Sequence, residues 1–298
     1  MRQLERVTGI LADLGEGPVW DERAGILYWI DILAGLIHQY APASGQTATH
    51  PLGQPIGCLV LRERAGLLCA LQDGIYSFDP EQGNLARLLA RPDAKLADNR
   101  FNDGKCDPAG RFFAGTMSSA GNEGHGESQP AGTLFRISPD WKVQAMVRPV
   151  AISNGLAWSS DQKTMYYIDS PTRLVSAFDY DASTGNIANR RTVIDFTAEA
   201  GIPDGMTIDT ADRLWIAHWG GWKLSCWNPA TGRKLDEIPL PCQNVTCCAF
   251  GGDSYDDLYI TTARIGLDPS ALAAQPDAGA LFCIRTGARG LPPDRFKG

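Results

Sequence analysis

One short pattern recurs along the chain and limits its fold more than any other feature. A glycine-marked turn leads into a strand-length run rich in β-branched and aromatic residues. Its fullest copy is Ile202-Pro203-Asp204-Gly205-Met206-Thr207-Ile208-Asp209, followed by Arg213-Leu214-Trp215-Ile216-Ala217. Counterparts begin at Gly15-Glu16-Gly17, Ile56-Gly57-Cys58, Asn102-Asp103-Gly104, Ser153-Asn154-Gly155 and Val245-Thr246-Cys247. Each copy holds three or four such segments, parted by turn signals such as Ala182-Ser183-Thr184-Gly185. The period of roughly 40–50 residues is the blade length of a propeller. The expected fold is an all-β, six-bladed β-propeller forming one domain over residues 1–298, with a metal site in the central channel. The segment Gln3 to Leu11 is placed to supply the strand that closes the ring. A tandem of two β-sandwiches would not repeat one motif six times.

In a propeller the inner strands start at one end of a shared channel, so equivalent repeat positions converge on its axis. Aligned on the glycines, the repeat starts place Glu16, Asp103, Asn154 and Asp204 at one position, with Ile56 and Thr246 in the remaining copies. These ligands offer carboxylate and amide oxygens and nothing soft. Such a set suits a hard divalent cation, Ca²⁺, Mg²⁺ or Mn²⁺; Zn²⁺ also accepts carboxylates but usually recruits His or Cys. The glycine after each ligand is expected to let the backbone turn sharply. A single Asx-Gly pair reads as an ordinary turn; four aligned copies point to one centre.

The net charge of −7 argues against a nucleic-acid partner and against an anionic membrane surface. No apolar run approaches bilayer-spanning length, and Met1 to Arg6 lacks a signal-peptide core, so a cytoplasmic protein is the expectation. The eight cysteines form no Cys-x-x-Cys pair and mostly sit in apolar runs, as buried small hydrophobes do. There is no P-loop, Gly-x-Ser-x-Gly elbow or dinucleotide fingerprint.

Beside Asp103 stand Arg100, a five-donor cation, and Asn102, which offers donor and acceptor; both suit a hydroxyl-rich ligand. Trp219 and Trp222 are expected to fill the gap between blades, with sugar stacking as the other reading. His218 reads as an acid/base or as a satisfied polar residue. Glu123, His125 and Glu127 fall in a Gly-rich insertion, Ser118 to Gln129, which reads as an exposed loop or a lid.

These stretches resemble the senescence-marker-protein, regucalcin and gluconolactonase family of six-bladed propellers. The likeness rests on Gly15-Glu16-Gly17-Pro18-Val19-Trp20, Asn99-Arg100-Phe101-Asn102-Asp103-Gly104-Lys105 and Gly110-Arg111-Phe112-Phe113-Ala114-Gly115-Thr116-Met117. It continues through Ile152-Ser153-Asn154-Gly155-Leu156, Tyr166-Tyr167-Ile168-Asp169-Ser170, Ile202-Pro203-Asp204-Gly205-Met206, Phe250-Gly251-Gly252 and Gln275-Pro276-Asp277-Ala278-Gly279. The resemblance implies that Glu16, Asn154 and Asp204 bind one divalent metal (Ca, Zn, Mn or Mg). It implies that Asp204 is the general base, that Arg100 and Asn102 contact a sugar lactone, and that Asp103 supports the site from outside or through water. Some family members place a substrate-contacting Glu after Gly-Thr-Met. Here that place reads Ser118-Ser119-Ala120, so the contact is missing or comes from Glu123 or Glu127.

The implied activity is hydrolysis of a sugar-acid lactone such as gluconolactone to the aldonic acid. A low pKa beside a dication limits Asp204 as a base, and direct nucleophilic attack by Asp204 stays open. The alternatives are a calcium- or sugar-binding regulatory propeller with little turnover, and an organophosphate or aryl-ester hydrolase. Neither the substrate's identity nor the oligomeric state is legible in the sequence.

Overall fold

A computed structural model describes residues 3–93, 98–118 and 130–298. Its strands form six four-stranded antiparallel sheets. Five follow the chain strictly, each strand pairing with the next; the fourth blade, for example, is Ser153–Trp158, Thr164–Asp169, Leu174–Tyr180 and Ile187–Asp195. The sixth is composite. Asn244–Gly251, Asp257–Ala263 and Phe282–Arg285 are completed by the N-terminal strand Glu5–Arg6, which pairs Glu5 with Cys283 and Arg6 with Phe282. The expected closing strand is therefore present: it pairs with the outer edge of Phe282–Arg285 and joins the two ends of the chain in one sheet.

The first strand of each blade lies innermost. These strands touch their neighbours in ring order, and the sixth returns to the first. Between blades lie apolar clusters. One joins Cys58, Val60 and Leu68 of the second blade to Phe101 and Phe112 of the third; another joins Ile168 and Val175 of the fourth to Met206 and Ile216 of the fifth. Seven cysteines are buried, Cys283 is half-buried and all eight are free, matching their reading as packing residues. Among the described residues no helix is long and apolar enough to cross a membrane.

The C-terminal segment is a strap with no counterpart in the repeat. Gly290 bridges to Asp209 of the fifth blade and Phe296 to Arg62 of the second. Arg295 pairs with Asp21 at 2.6 Å and Glu22 at 2.8 Å in the first blade. Phe296 is fully buried in the cluster between the second and third blades.

Candidate metal centre in the central channel

One level of the propeller is marked by the register pairs Gly15–Asp31, Ile56–Leu71, Phe101–Thr116, Ser153–Asp169, Pro203–His218 and Val245–Thr262. The next residue along each inner strand is Glu16, Gly57, Asn102, Asn154, Asp204 and Thr246. At or just beyond this level every inner strand carries a register shift. A bulge bends its strand and re-aims a side chain. Repeated six times, it brings the oxygen-bearing side chains of one tier together.

The register corrects the repeat alignment. Asn102, not Asp103, stands level with Glu16, Asn154 and Asp204, and Gly57, not Ile56, holds the second-blade position. Asp103 lies one residue farther along, level with Gly17, Cys58, Gly155, Gly205 and Cys247. The third inner strand runs three residues from Gly104 to the hairpin residue Asp107, where the fourth and fifth run four, from Gly155 to Ser159 and from Gly205 to Asp209. Aligning glycines therefore shifts this blade by one.

The role of those glycines also differs from expectation. Only Gly17 has a positive φ, +53°. At Gly104, Gly155 and Gly205 the constraint is contact with a neighbouring inner strand. A Cβ on Gly104 would stand 2.7 Å from Cys58 Sγ, one on Gly155 would stand 2.7 Å from Met206 Cγ, and one on Gly205 would run into Cys247 Sγ. The glycines let neighbouring inner strands crowd together at this level.

Glu16, Asn102, Asp103, Asn154 and Asp204 are all buried. Asn102 Nδ2 donates to Ser153 O at 2.8 Å and to Asn154 Oδ1 at 3.1 Å. Arg100 Nη1 donates to Asn102 Oδ1 at 2.8 Å and to Phe101 O at 3.0 Å. Both amide protons of Asn102 are thus committed, and what it can still offer a ligand is an acceptor lone pair. Glu16 and Asp103 each accept the N–H of the following glycine, at 2.8 and 2.7 Å.

Three carboxyl groups crowd one end of this channel. Burial, with the charge of Asp103 added, pushes Glu16 up to about 8, although the Gly17 N–H, the Cys247 thiol and Arg100 oppose the shift. Burial and then the charges of Glu16 and Asp103 hold Asp204 well above the usual carboxylate range. Burial also raises Asp103, against the pull of Lys105 and the Gly104 N–H. Arg100 is drawn down to about 10 by burial, while Glu16 favours its charge. Burial first, and mutual repulsion after it, disfavour the ionised carboxyls, and a divalent cation among the oxygens would favour them. Glu16, Asn154 and Asp204 fit that ion chemically, as oxygen donors converging from three blades. Among the described residues no group of three or more His, Cys, Asp and Glu side chains is arranged to hold a metal ion; of the three candidates here, Asn154 offers an amide oxygen instead.

Below this tier the channel widens into a cavity of about 360 Å³. Its lining includes Asp103, Lys105, Trp158 and the strap residues Leu291 and Asp294, but not Glu16, Asn154 or Asp204. The oxygen tier thus lies toward the strand starts, and strap residues line the other mouth. Lys105 Nζ spans the channel to Met206 O at 2.9 Å.

The remaining sequence candidates separate clearly. His218 is a satisfied core residue. Its Nδ1 donates to Ala200 O at 2.9 Å and its Nε2 meets Ser225 Oγ at 2.6 Å. Burial lowers its pKa to about 4. Trp222 does not pack between blades; it is 43% exposed, with φ of 60°, in the hairpin after Leu214–Trp219. Trp219 is half-buried and also outside the interblade clusters. That hairpin lies at the Asp204 end of the blade, because Trp219 pairs with Ile202. Ser118 ends its strand, and Glu123, His125 and Glu127 lie outside the described residues. Sequence reasoning missed Ser170, which accepts from Asn154 Nδ2 at 2.8 Å.

A family model described as SMP-30/Gluconolactonase/LRE-like region matches residues 14–264. The chain belongs to that family. Regucalcin of Oryctolagus cuniculus is 40% identical over 291 residues, covering 95% of both chains. Among solved structures, a luciferin-regenerating enzyme matches with a TM-score of 0.92 at 30% identity over the whole of both chains. A calcium-binding protein, regucalcin, from Agrobacterium tumefaciens matches with a TM-score of 0.91 at 28% identity, covering 100% of this chain and 97% of that one. The matched region of this SMP-30/gluconolactonase-family chain contains Glu16, Arg100, Asn102, Asn154 and Asp204.

Proposed function

We propose that the chain is a divalent-metal-dependent lactonase that opens a sugar-acid lactone to the aldonic acid. The observation that carries the reading is the single tier of Glu16, Asn102, Asn154 and Asp204, with Arg100 bonded to it. Membership of a family described by gluconolactonase supports it. Glu16, Asn154 and Asp204 would hold the metal, as Ca²⁺, Zn²⁺, Mn²⁺ or Mg²⁺. When bound, the ion supplies Lewis acidity toward the ring carbonyl and acidifies a water.

The chain's own residues do the rest. Asp204 takes the proton from the attacking water, or attacks the carbonyl carbon itself. In the first case the ring C–O bond breaks as Asp204 passes that proton to the leaving ring oxygen, giving the open acid. In the second the ring oxygen leaves with a proton from solvent, and a water then hydrolyses the resulting anhydride to free Asp204 and the acid. Arg100 has donors beyond Nη1 to give to sugar oxygens, and Asn102 accepts from a sugar hydroxyl through its remaining lone pair. Asp103, one residue beyond the tier, adds negative charge beneath the site without being a ligand. Glu123 and Glu127 stand in the insertion that takes the place of the family's substrate-contacting Glu.

Acid release from a panel of hexono- and pentonolactones, after chelation and again after adding back each metal, tests the reading. Metal-restored hydrolysis above the spontaneous rate supports it; none on any lactone overturns it. A second reading, calcium binding with little turnover, draws on the relative described as a calcium-binding protein. Tight Ca²⁺ uptake without hydrolysis would favour it. A phosphotriester assayed in parallel ranks the organophosphate alternative.

A further inference from the structure

The end of Asn154 that faces the channel is selected by a chain of hydrogen bonds with fixed direction at both ends. A guanidinium only donates, so the Arg100 Nη1 bond to Asn102 at 2.8 Å makes the accepting atom Oδ1. The Asn102 amide then presents its protons to Ser153 O and to Asn154. At the far end, the Pro203 carbonyl only accepts, and the single hydroxyl proton of Ser170 goes there at 2.7 Å. Ser170 Oγ is left as an acceptor toward Asn154, whose Nδ2 fills that place at 2.8 Å. Reversing the Asn154 amide would set its NH₂ against the Asn102 NH₂. It would also point its oxygen at a hydroxyl whose proton is already used. Two hydrogen bonds would be lost in a buried site, where unmade bonds are costly.

We infer that Ser170 is a positioning residue that fixes the Asn154 amide with Oδ1 toward the channel, where that oxygen serves as a cation ligand. The inference rests on the metal reading above. Ser170 is 2% exposed and begins the short turn Ser170–Thr172 after the second strand of the fourth blade. Through it, the ligand of the fourth blade is tied to the backbone next to Asp204 in the fifth. Asn154 Oδ1 accepts one hydrogen bond and keeps a lone pair for the ion. The same chain makes Arg100 the anchor of a metal ligand's orientation as well as a substrate contact. A carboxylate at position 154 has oxygen at both ends and needs no such selection.

Calorimetric titration of the chelator-stripped full chain with Mn²⁺ and with Ca²⁺ tests this, using wild type, Ser170→Ala, Asn154→Asp and the double variant. Circular dichroism checks the fold of each. Outer partners of metal ligands typically contribute 10–100-fold in affinity, so Ser170→Ala should weaken binding about tenfold or more. In the Asn154→Asp background the same change should shift affinity by less than about threefold. Ser170→Thr, which keeps the hydroxyl, should bind like wild type. Unchanged affinity in Ser170→Ala overturns the inference and leaves the metal reading standing. An equal loss in both backgrounds makes Ser170 a packing residue and overturns it too. A wild-type chain that takes up neither ion overturns both. If Ser170→Ala does not fold, Ser170→Cys, close in size and poor at hydrogen bonding, carries the same comparison.

Discussion

Gly155 lies against Asp204 so closely that a Cβ on it would stand 2.9 Å from the Asp204 carbonyl oxygen. The inner strands that carry Asn154 and Asp204 thus make their close approach at this level. Gly155→Ala should force them apart. Overpacking of this kind costs about 1–3 kcal/mol, seen as a lower Tm. Divalent-cation affinity should fall with it, because Asp204 moves with its strand. Unchanged Tm and unchanged affinity would show that the two strands have slack.

Asp204→Asn keeps the shape of the side chain and removes the charge and the basic oxygen. General-base catalysis contributes about 10²–10⁴-fold, so lactone turnover should fall at least a hundredfold, with weaker metal binding. Retained turnover at full metal occupancy would remove Asp204 from the chemistry.

Arg100→Met tests orientation. Loss of uniform binding raises KM with kcat little changed, whereas loss of kcat alone would give Arg100 a role in the transition state. With metal saturating, the predicted outcome is a KM at least about tenfold higher, the equivalent of roughly one charged hydrogen bond.

The sixfold period was legible because each blade repeats strand-length apolar runs parted by turn signals, and closure by the N-terminus follows from having one strand to spare. The shared level of Glu16, Asn154 and Asp204 was legible because each precedes a glycine at its repeat start. Asp103 was placed one position off because a sequence aligns glycines, whereas a sheet aligns hydrogen bonds, and the third inner strand is one residue short. The reason for Gly104, Gly155 and Gly205 was hidden as well: a turn and a close interstrand contact demand the same residue. The strap at Leu291-Pro292-Pro293-Asp294-Arg295-Phe296 has no periodicity to read, and Ser170 carries no signal beyond its neighbour Asp169.

The strap gives its own prediction. Phe296 is fully buried against the Trp141 ring, 5.1 Å between centroids. Phe296→Ala should cost about 3–5 kcal/mol, as large-to-small changes in a packed core do. Denaturant unfolding measures it; a loss below about 1 kcal/mol would mean that the strap is not part of the core.

His218 sets a pH dependence. Its folded pKa, about 4, lies below the ordinary value of 6.5, because burial disfavours the charged ring. The unfolded chain therefore binds the extra proton first, and the His218 contribution to stability is complete above pH 6.5 and declines as the pH falls toward 4. The Tm of the wild type should drop more steeply over that window than the Tm of His218→Gln. Parallel curves would contradict the assignment of His218 as a neutral core residue.

The most direct measurement on the central claim is anomalous X-ray scattering from crystals of the chelator-stripped chain soaked in Mn²⁺. One strong peak is expected on the channel axis within ligand distance of Glu16, Asn154 Oδ1 and Asp204, absent from Asp204→Asn crystals. A peak elsewhere, or none at full soaking, would contradict that claim.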